Sequence, residues 1–468
     1  MSGSSPSRTA GAAPTTVPIP SPPPTPADHE AAAPRTPAPD AEELPLCERP
    51  ATPVSPPASD LLTLQATIAA LRRGSGPIAL DTERASGFRY DQRAYLLQFR
   101  RAGAGTQLVD PLAFQPTPVA DGTAEPTAGT SAQATAACAA ALAEAEWVLH
   151  AARQDLPCLV HLGLVPVRLF DTELAARLLN RPRVGLAHLV AAEFGLRLAK
   201  EHSAADWSTR PIPPQWLDYA ALDVEFLLPL RDILESELRE QGRWPWAMEE
   251  FAAIVEEAQH LARTGPPPPP ADAWRRTGGI HRVRSARGMA TVRQLWRTRD
   301  RIARELDLAP HRVLPDAAII AAAMEPPAGR GGLTAIPGFA TRRARAHVAD
   351  WAAAIADAQA MPDEELPRRQ HEDPADPPPA RLWRDRDPVA AARLTRVRTA
   401  VAAHAEHIGV PAENLIAPES LRRICWPPIP EPADESAVRD ALRRCGARTW
   451  QCDLVSGVIA RSLPPEAA

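Results

Sequence analysis

Apolar residues recur along this chain with two periods. Leu61, Leu62, Leu64, Ile68 and Leu71 mark one helical face, and Gly74 to Pro77 ends that helix. Ile78, Ala79 and Leu80 then read as a buried strand that closes on Asp81-Thr82-Glu83. Tyr95 to Phe99 and Thr106 to Val109 predict two more strands around a glycine-containing turn, and with the first they predict an antiparallel meander. Ala132 to Ala145 is helical, Trp147 to Leu149 is a short buried strand leading into His150-Ala-Ala-Arg-Gln-Asp155, and Val165 to Phe170 is a further strand. Helices follow over Thr172 to Leu179, Gly185 to Phe194, and Trp216 to Gln241. The sum is an α/β domain over residues 58–250, with helices around a mixed sheet of about five or six strands.

The remainder is built differently. Sixteen of the first 60 residues are proline, so residues 1–57 read as a tail too poor in apolar surface to fold. Leu112 to Ser131, rich in Pro, Gly, Thr and Ala, reads as a surface insertion. Five consecutive prolines, Pro266 to Pro270, form a stiff spacer within a linker over 251–285. A helical segment is expected over 286–360, a Pro- and acid-rich linker over 361–385, and a last helical segment over 386–465.

A chain of 468 residues exceeds one ordinary core. The net charge of −5 hides an uneven distribution: residues 271–360 carry 15 arginines against 8 acids, a surplus that attracts polyanions. Lys200 is the one lysine in the chain, so arginine counts mostly reflect composition. The six cysteines follow neither a disulfide nor a zinc spacing, which fits a reducing cytoplasm. No run approaches the roughly 20 apolar residues of a membrane span, and the start lacks the order of a secretory signal.

Candidate chemistry lies in the acids. Side chains alternate along a strand, so Asp81 and Glu83 share one side and can share one ion. Two solvated acids on a surface turn would have the same letters. Asp155 follows a strand and a half-turn of small residues, and Tyr219 and Asp223, four apart, lie on one helical face. Each signal alone also fits a cap or a packing residue. Their order, strand acids first and a helical Tyr and Asp last, is what joins them.

At these residues the chain resembles the ribonuclease D family of DEDD-type 3′–5′ exonucleases, in the subgroup with tyrosine in the third motif. Asp81-Thr82-Glu83 is similar to the first motif, Trp147 through Asp155 to the second, and Tyr219-Ala-Ala-Leu-Asp223 to the third. Lys200 and the stretch Asp206-Trp207-Ser-Thr-Arg210-Pro211-Ile-Pro213 resemble the family's lead into that third motif. Asp171-Thr172-Glu173 repeats the first motif's letters, but a helical run follows at once, so Asp171 reads as a helix cap. Leu295-Trp296 to Glu305, Val313-Leu314-Pro315-Asp316 and Ile336-Pro-Gly338-Phe339 resemble an HRDC domain, and Val410-Pro to Pro418 with Leu442 to Trp450 resembles a second, more divergent one.

The resemblance implies a ribonuclease H-like exonuclease domain followed by two all-α HRDC-type domains. It implies Asp81, Glu83, Asp155, Tyr219 and Asp223 as catalytic residues, the four acids holding two divalent ions, Mg²⁺ or Mn²⁺. Four carboxylates in one site hold raised pKa values until cations bind, and oxygen ligands favour these ions over zinc. Lys200 and Arg210 are candidates for substrate phosphates or for ion pairs, and Arg297, Arg301 and Arg304 are candidates for the RNA backbone. The implied activity is a 3′–5′ exoribonuclease of the cytoplasm that releases nucleoside 5′-monophosphates from RNA with a free 3′ end, tRNA precursors among them. No membrane and no obligate protein partner is expected. A DNA exonuclease and a non-catalytic nucleic-acid-binding scaffold are the competing readings.

Overall fold

The computed structural model describes residues 43–114, 136–199, 202, 204–327, 329–367, 377–426 and 434–463. The tail up to residue 42, most of the expected insertion, Lys200 and the middle of the second linker lie outside the described residues. The chain divides into two units, one reaching to residue 83 and including 95–205 and 209–259, the other 84–94, 206–208 and 260 onward.

The first unit contains, in order, β1 (Leu46–Cys47), α1 (Leu61–Arg73), β2 (Ser75–Arg84), β3 (Ala94–Ala102), β4 (Gly105–Val109), α2 (136–142) and β5 (Glu146–Leu149). Then come α3 (Leu156–His161), β6 (Arg168–Asp171), α4 (Thr172–Leu178), α5 (Leu186–Phe194), β7 (Arg197–Leu198), α6 (Pro214–Glu225), α7 (Leu227–Glu240) and α8 (Trp244–Thr264). A capping box starts α1, the Asp60 carboxylate accepting from Thr63 N–H at 2.8 Å.

Five strands form one sheet in the order β4-β3-β2-β5-β6. β2 is therefore central, and Ile78, Ala79 and Leu80 are almost completely buried, as their apolar run predicts. β3 and β4 pair antiparallel, whereas β5 runs parallel to both β2 and β6. In the parallel half, Ile78 sits opposite Trp147 and Leu149 opposite Asp171. The carboxyl ends of β2, β5 and β6 thus lie side by side, the edge at which open α/β sheets place their ligands.

Two elements depart from expectation. Residues 46–47, assigned by composition to the Pro-rich tail, form β1 and pair parallel with β7. A two-residue strand carries no period that could betray it. The helix α8 runs through 251–264, where a linker was expected; Phe251, Ile254 and Ala258 recur at helical spacing and are buried.

The second unit is helical. Its α9 (Ala286–Glu305), α10 (Pro310–Val313), α11 (Asp316–Met324), α12 (Gly329–Ala335), α13 (Arg342–Ala346) and α14 (Val348–Ala360) enclose a core that includes Trp274, Leu295, Ile319, Phe339 and Trp351. Gly338 has φ +99°, and a Cβ there would meet the Ala318 methyl at 2.8 Å, so both conformation and space require glycine. Arg299 is buried and donates to Leu314 O at 2.9 Å and to Asp316 at 2.6 Å, so part of this segment's arginine content is structural. The last segment holds α15 (Trp383–Arg386), α16 (Pro388–Ile408), α17 (Ala412–Leu415), α18 (Pro418–Cys425), α19 (Glu435–Arg444) and α20 (Thr449–Ser462). Its α16-α17-α18 corner repeats the long, short and medium order of α9-α10-α11, but among the described residues two helices follow it instead of three.

Candidate active site

Asp81 and Glu83 project from the end of β2, where the alternation of the strand sets them on one side. Asp223 joins them from α6: carboxylate oxygens of Asp81, Glu83 and Asp223 all lie within 4.8 Å of one another. That separation suits shared oxygen ligation of a hard divalent cation and is otherwise repulsive.

The helix that brings Asp223 is pinned at several points. Pro213 and Pro214 begin it, where a missing N–H costs nothing. Leu222 and Phe226, flanking the acid, sink into a cluster with Cys47, Val190, Leu196 and Leu198. Glu225, its side chain 1% exposed, makes a 2.7 Å ion pair with Arg100 of β3. Tyr219, one turn before Asp223, hydrogen-bonds to the Asp223 carboxylate through its hydroxyl. Its ring meets His202 edge-on at 5.9 Å.

Asp155 is held differently. It stands at the entry to α3 and is buried. Its Oδ1 accepts a 2.8 Å hydrogen bond from Thr82, the residue between the two strand acids. The Cys158 thiol donates to the Asp155 backbone carbonyl at 3.0 Å and lies 3.2 Å from the same threonine hydroxyl. Asp155 is not one of the three carboxylates that converge within 4.8 Å.

The electrostatics follow from this crowding. Burial, and then the charge of Asp155, push the Asp223 carboxyl up to about 7, with the Tyr219 hydrogen bond opposing them. The Tyr219 hydroxyl is itself pushed far above its usual range by burial and by the charges of Asp223, Glu83 and Asp81. It is therefore a proton donor and an orienting group, not a base. A donor set made of oxygens alone fits a hard divalent cation, which would displace the proton that Asp223 otherwise keeps to near neutrality.

The remaining candidates are placed as follows. Arg210 grips Asp110 with two hydrogen bonds, at 2.6 and 2.9 Å, and donates to the Tyr95 carbonyl at 2.7 Å. In the helical unit, Arg301 pairs with Glu305 and Asp350, Arg304 pairs with Asp300, and Arg297 is exposed. Asp171 caps α4, accepting from the N–H groups of Glu173 and Leu174. Sequence reasoning did not single out Thr82, Arg100, Glu225 or His202, since their partners lie far away along the chain or carry no motif.

Comparison with known proteins bears on all three parts of the chain. A 3′–5′ exonuclease family model matches residues 58–239, an HRDC domain model matches 289–355, and a model of the 3′ to 5′ exonuclease C-terminal domain matches 376–463. Ribonuclease D of Granulibacter bethesdensis is 30% identical over 292 residues, covering 61% of this chain and 68% of that protein. Ribonuclease D of Acidiphilium cryptum is 34% identical over 279 residues, 58% of this chain and 64% of the relative. The chain thus spans slightly less than two thirds of that relative's length. A protein of solved structure from Bifidobacterium adolescentis is 36% identical with a TM-score of 0.77, covering 90% of this chain and 99% of that one. The structure of Escherichia coli RNase D shares the fold, with a TM-score of 0.60 at 24% identity over 88% of this chain and 98% of that chain.

The match over 376–463 corrects one expectation. The segment read as a second, divergent HRDC-like domain belongs instead to the exonuclease C-terminal type. Two stretches carried that expectation, Val410 to Pro418 around the corner between α16 and α17 and Leu442 to Trp450 where α19 gives way to α20, and each such corner is a local solution to joining two helices. Neither specifies the helices beyond it.

Proposed function

Because this chain belongs to the ribonuclease D family, we propose that it is a metal-dependent 3′–5′ exoribonuclease that releases nucleoside 5′-monophosphates. The convergence of Asp81, Glu83 and Asp223 within 4.8 Å carries the reading. An exposed acidic patch without a function has no need of a tyrosine hydroxyl bound to one acid or of a threonine bound to a fourth.

In this reading Asp81, Glu83, Asp155 and Asp223 hold two divalent cations, Mg²⁺ or Mn²⁺. Such ions, when bound, supply Lewis-acid stabilisation of a phosphodiester under attack and a nucleophile at neutral pH. The chain's own residues do the rest. Asp81 and Glu83, fixed on a buried central strand, set the geometry to which the substrate phosphate must conform. Asp223 gives up its proton as the site is loaded, and Tyr219 directs its hydroxyl toward the same carboxylate and so orients the reacting groups. Thr82 keeps one oxygen of Asp155 engaged and so fixes how that carboxylate turns.

The substrate is RNA with a free 3′ end, precursor tRNA included; the Escherichia coli relative is described as an exoribonuclease involved in structured RNA processing. Arg297, Arg301 and Arg304, spaced four and three apart on α9, share one helical face. They would hold the RNA backbone without reading sequence, which makes binding salt-dependent. No helix among the described residues is long and apolar enough to cross a membrane. All six cysteines are free thiols, which supports a cytoplasmic setting.

One assay decides. RNA with a single-stranded 3′ tail and matched DNA, each labelled at the 5′ end, are supplied with Mg²⁺, Mn²⁺ or chelator. Stepwise metal-dependent shortening of RNA is the expected result. Equal shortening of DNA would reassign the substrate, and binding without shortening would leave only a scaffold.

A further inference from the structure

The geometry points to Asp171 as a positioning residue for Asp155, acting through the turn between them. The inference rests on the exonuclease reading, in which Asp155 serves the reaction. As a helix cap Asp171 needs one oxygen: Oδ1 accepts from Glu173 N–H at 2.9 Å and from Leu174 N–H at 3.1 Å. The same carboxylate also accepts from Ala151 N–H at 3.1 Å and, through Oδ2, from Ala152 N–H at 2.9 Å. Asp171 is 3% exposed, so these four bonds stand in place of water.

The sheet sets up this contact. Leu149 at the end of β5 lies opposite Asp171 at the end of β6, so the chain leaving β5 must pass the Asp171 side chain. There Ala151 takes a left-handed conformation, φ 57° and ψ 50°. An L-residue with a Cβ resists that conformation. Its effect is to turn two successive N–H groups the same way, forming a concavity that favours an anion. The Asp171 carboxylate fills it.

Asp155 follows without slack. Ala152–Gln154 is a single tight turn, and Asp155 N–H closes on Ala152 O at 3.1 Å. From the far side Thr82 takes up the Asp155 side chain. A second strap lies beside the first: the Thr172 hydroxyl donates to Leu149 O at 3.2 Å and lies 2.9 Å from Nδ1 of His150. Asp171 faces backbone N–H groups throughout and is not among the converging acids. Its role is to place Asp155.

The test separates placement from capping. Asp171→Ser in the full chain keeps a good N-cap but is too short to span to Ala151 and Ala152. Asp171→Asn keeps one acceptor oxygen and serves as the milder variant should the serine form fail to fold. Amide exchange at 151 and 152 is followed by mass spectrometry, and kcat and KM are measured on single-stranded RNA. Faster exchange at 151–155 with other segments unchanged is expected, with kcat reduced on the order of 10- to 100-fold, KM kept, and the asparagine form in between. Wild-type protection of 151 and 152, or lost protection with kcat untouched, overturns the inference. An inactive wild-type protein would sink the exonuclease reading instead, and the exchange comparison would still decide whether Asp171 holds the turn.

Discussion

The hydroxyl of Thr82 donates a 2.8 Å hydrogen bond to Oδ1 of Asp155, 73 positions away. The residue between the two acids of β2 is thus turned to a third acid, linking the central strand to the α3 entry. Thr82→Val keeps shape and removes the hydroxyl. It leaves a buried carboxylate oxygen without this donor, and the expected outcome is a kcat lower by roughly 10-fold with KM unchanged. Steady-state kinetics on 5′-labelled RNA, beside a thermal melt, checks it; full activity would remove Thr82 from the site.

Asp81→Asn and Asp223→Asn are expected to abolish hydrolysis while the fold is kept. Each removes a charge from the converging group, and cation binding falls with it. Calorimetric titration with Mn²⁺ should show the lost affinity directly. Metal-dependent turnover persisting in Asp81→Asn would contradict the site.

Without metal, stability should decline with rising pH on account of Asp223. Its carboxyl ionises near 7 in the folded chain against an ordinary 3.8. Between those values the folded state keeps a proton that the unfolded state has released. The stabilisation is therefore complete below the unfolded value and is lost as pH rises through the folded one. In chelator, Tm should fall from pH 5 to pH 8, and less steeply in Asp223→Asn. Parallel Tm profiles for the two proteins would refute this.

Cation binding must release that proton, so affinity should rise over the same pH range. Titrations at pH 6, 7 and 8, in buffers of different ionisation enthalpy, count the protons released. Tyr219→Phe removes a hydrogen bond that holds the Asp223 pKa down, so its affinity curve should move to higher pH. In the same variant kcat should fall with RNA affinity largely kept. An unmoved curve would show that the tyrosine does not act on Asp223.

Arg100→Met leaves Glu225 buried without its cation. The expected cost is about 3 kcal/mol of stability, read by urea denaturation. Because Glu225 lies two residues beyond Asp223, activity should fall at temperatures where the chain remains folded. A neutral result in both measurements would mean that the pair does not anchor α6.

How far the sequence could be read depended on distance along the chain. The shared side of Asp81 and Glu83 follows from the strand period, and the Tyr219–Asp223 stack follows from the helical one. The buried run of Ile78, Ala79 and Leu80 identified β2 for the same reason. Thr82–Asp155 and Arg100–Glu225 are pairings of distant residues that no local period encodes. β1 is too short to show alternation. The final helices belong to another domain type because Val410 to Pro418 and Leu442 to Trp450 are local helix junctions that different all-helical domains share.

Cys47 lies eleven residues before the first position matched by the exonuclease family model. A shortened chain cut at that boundary would lose the edge partner of Arg197–Leu198 and uncover part of the apolar cluster that seats Leu222 and Phe226, the neighbours of Tyr219 and Asp223 on one face of α6. The smallest form that keeps this support therefore begins within the proline-rich head, and a truncation guided by homology alone would loosen the helix that carries Asp223.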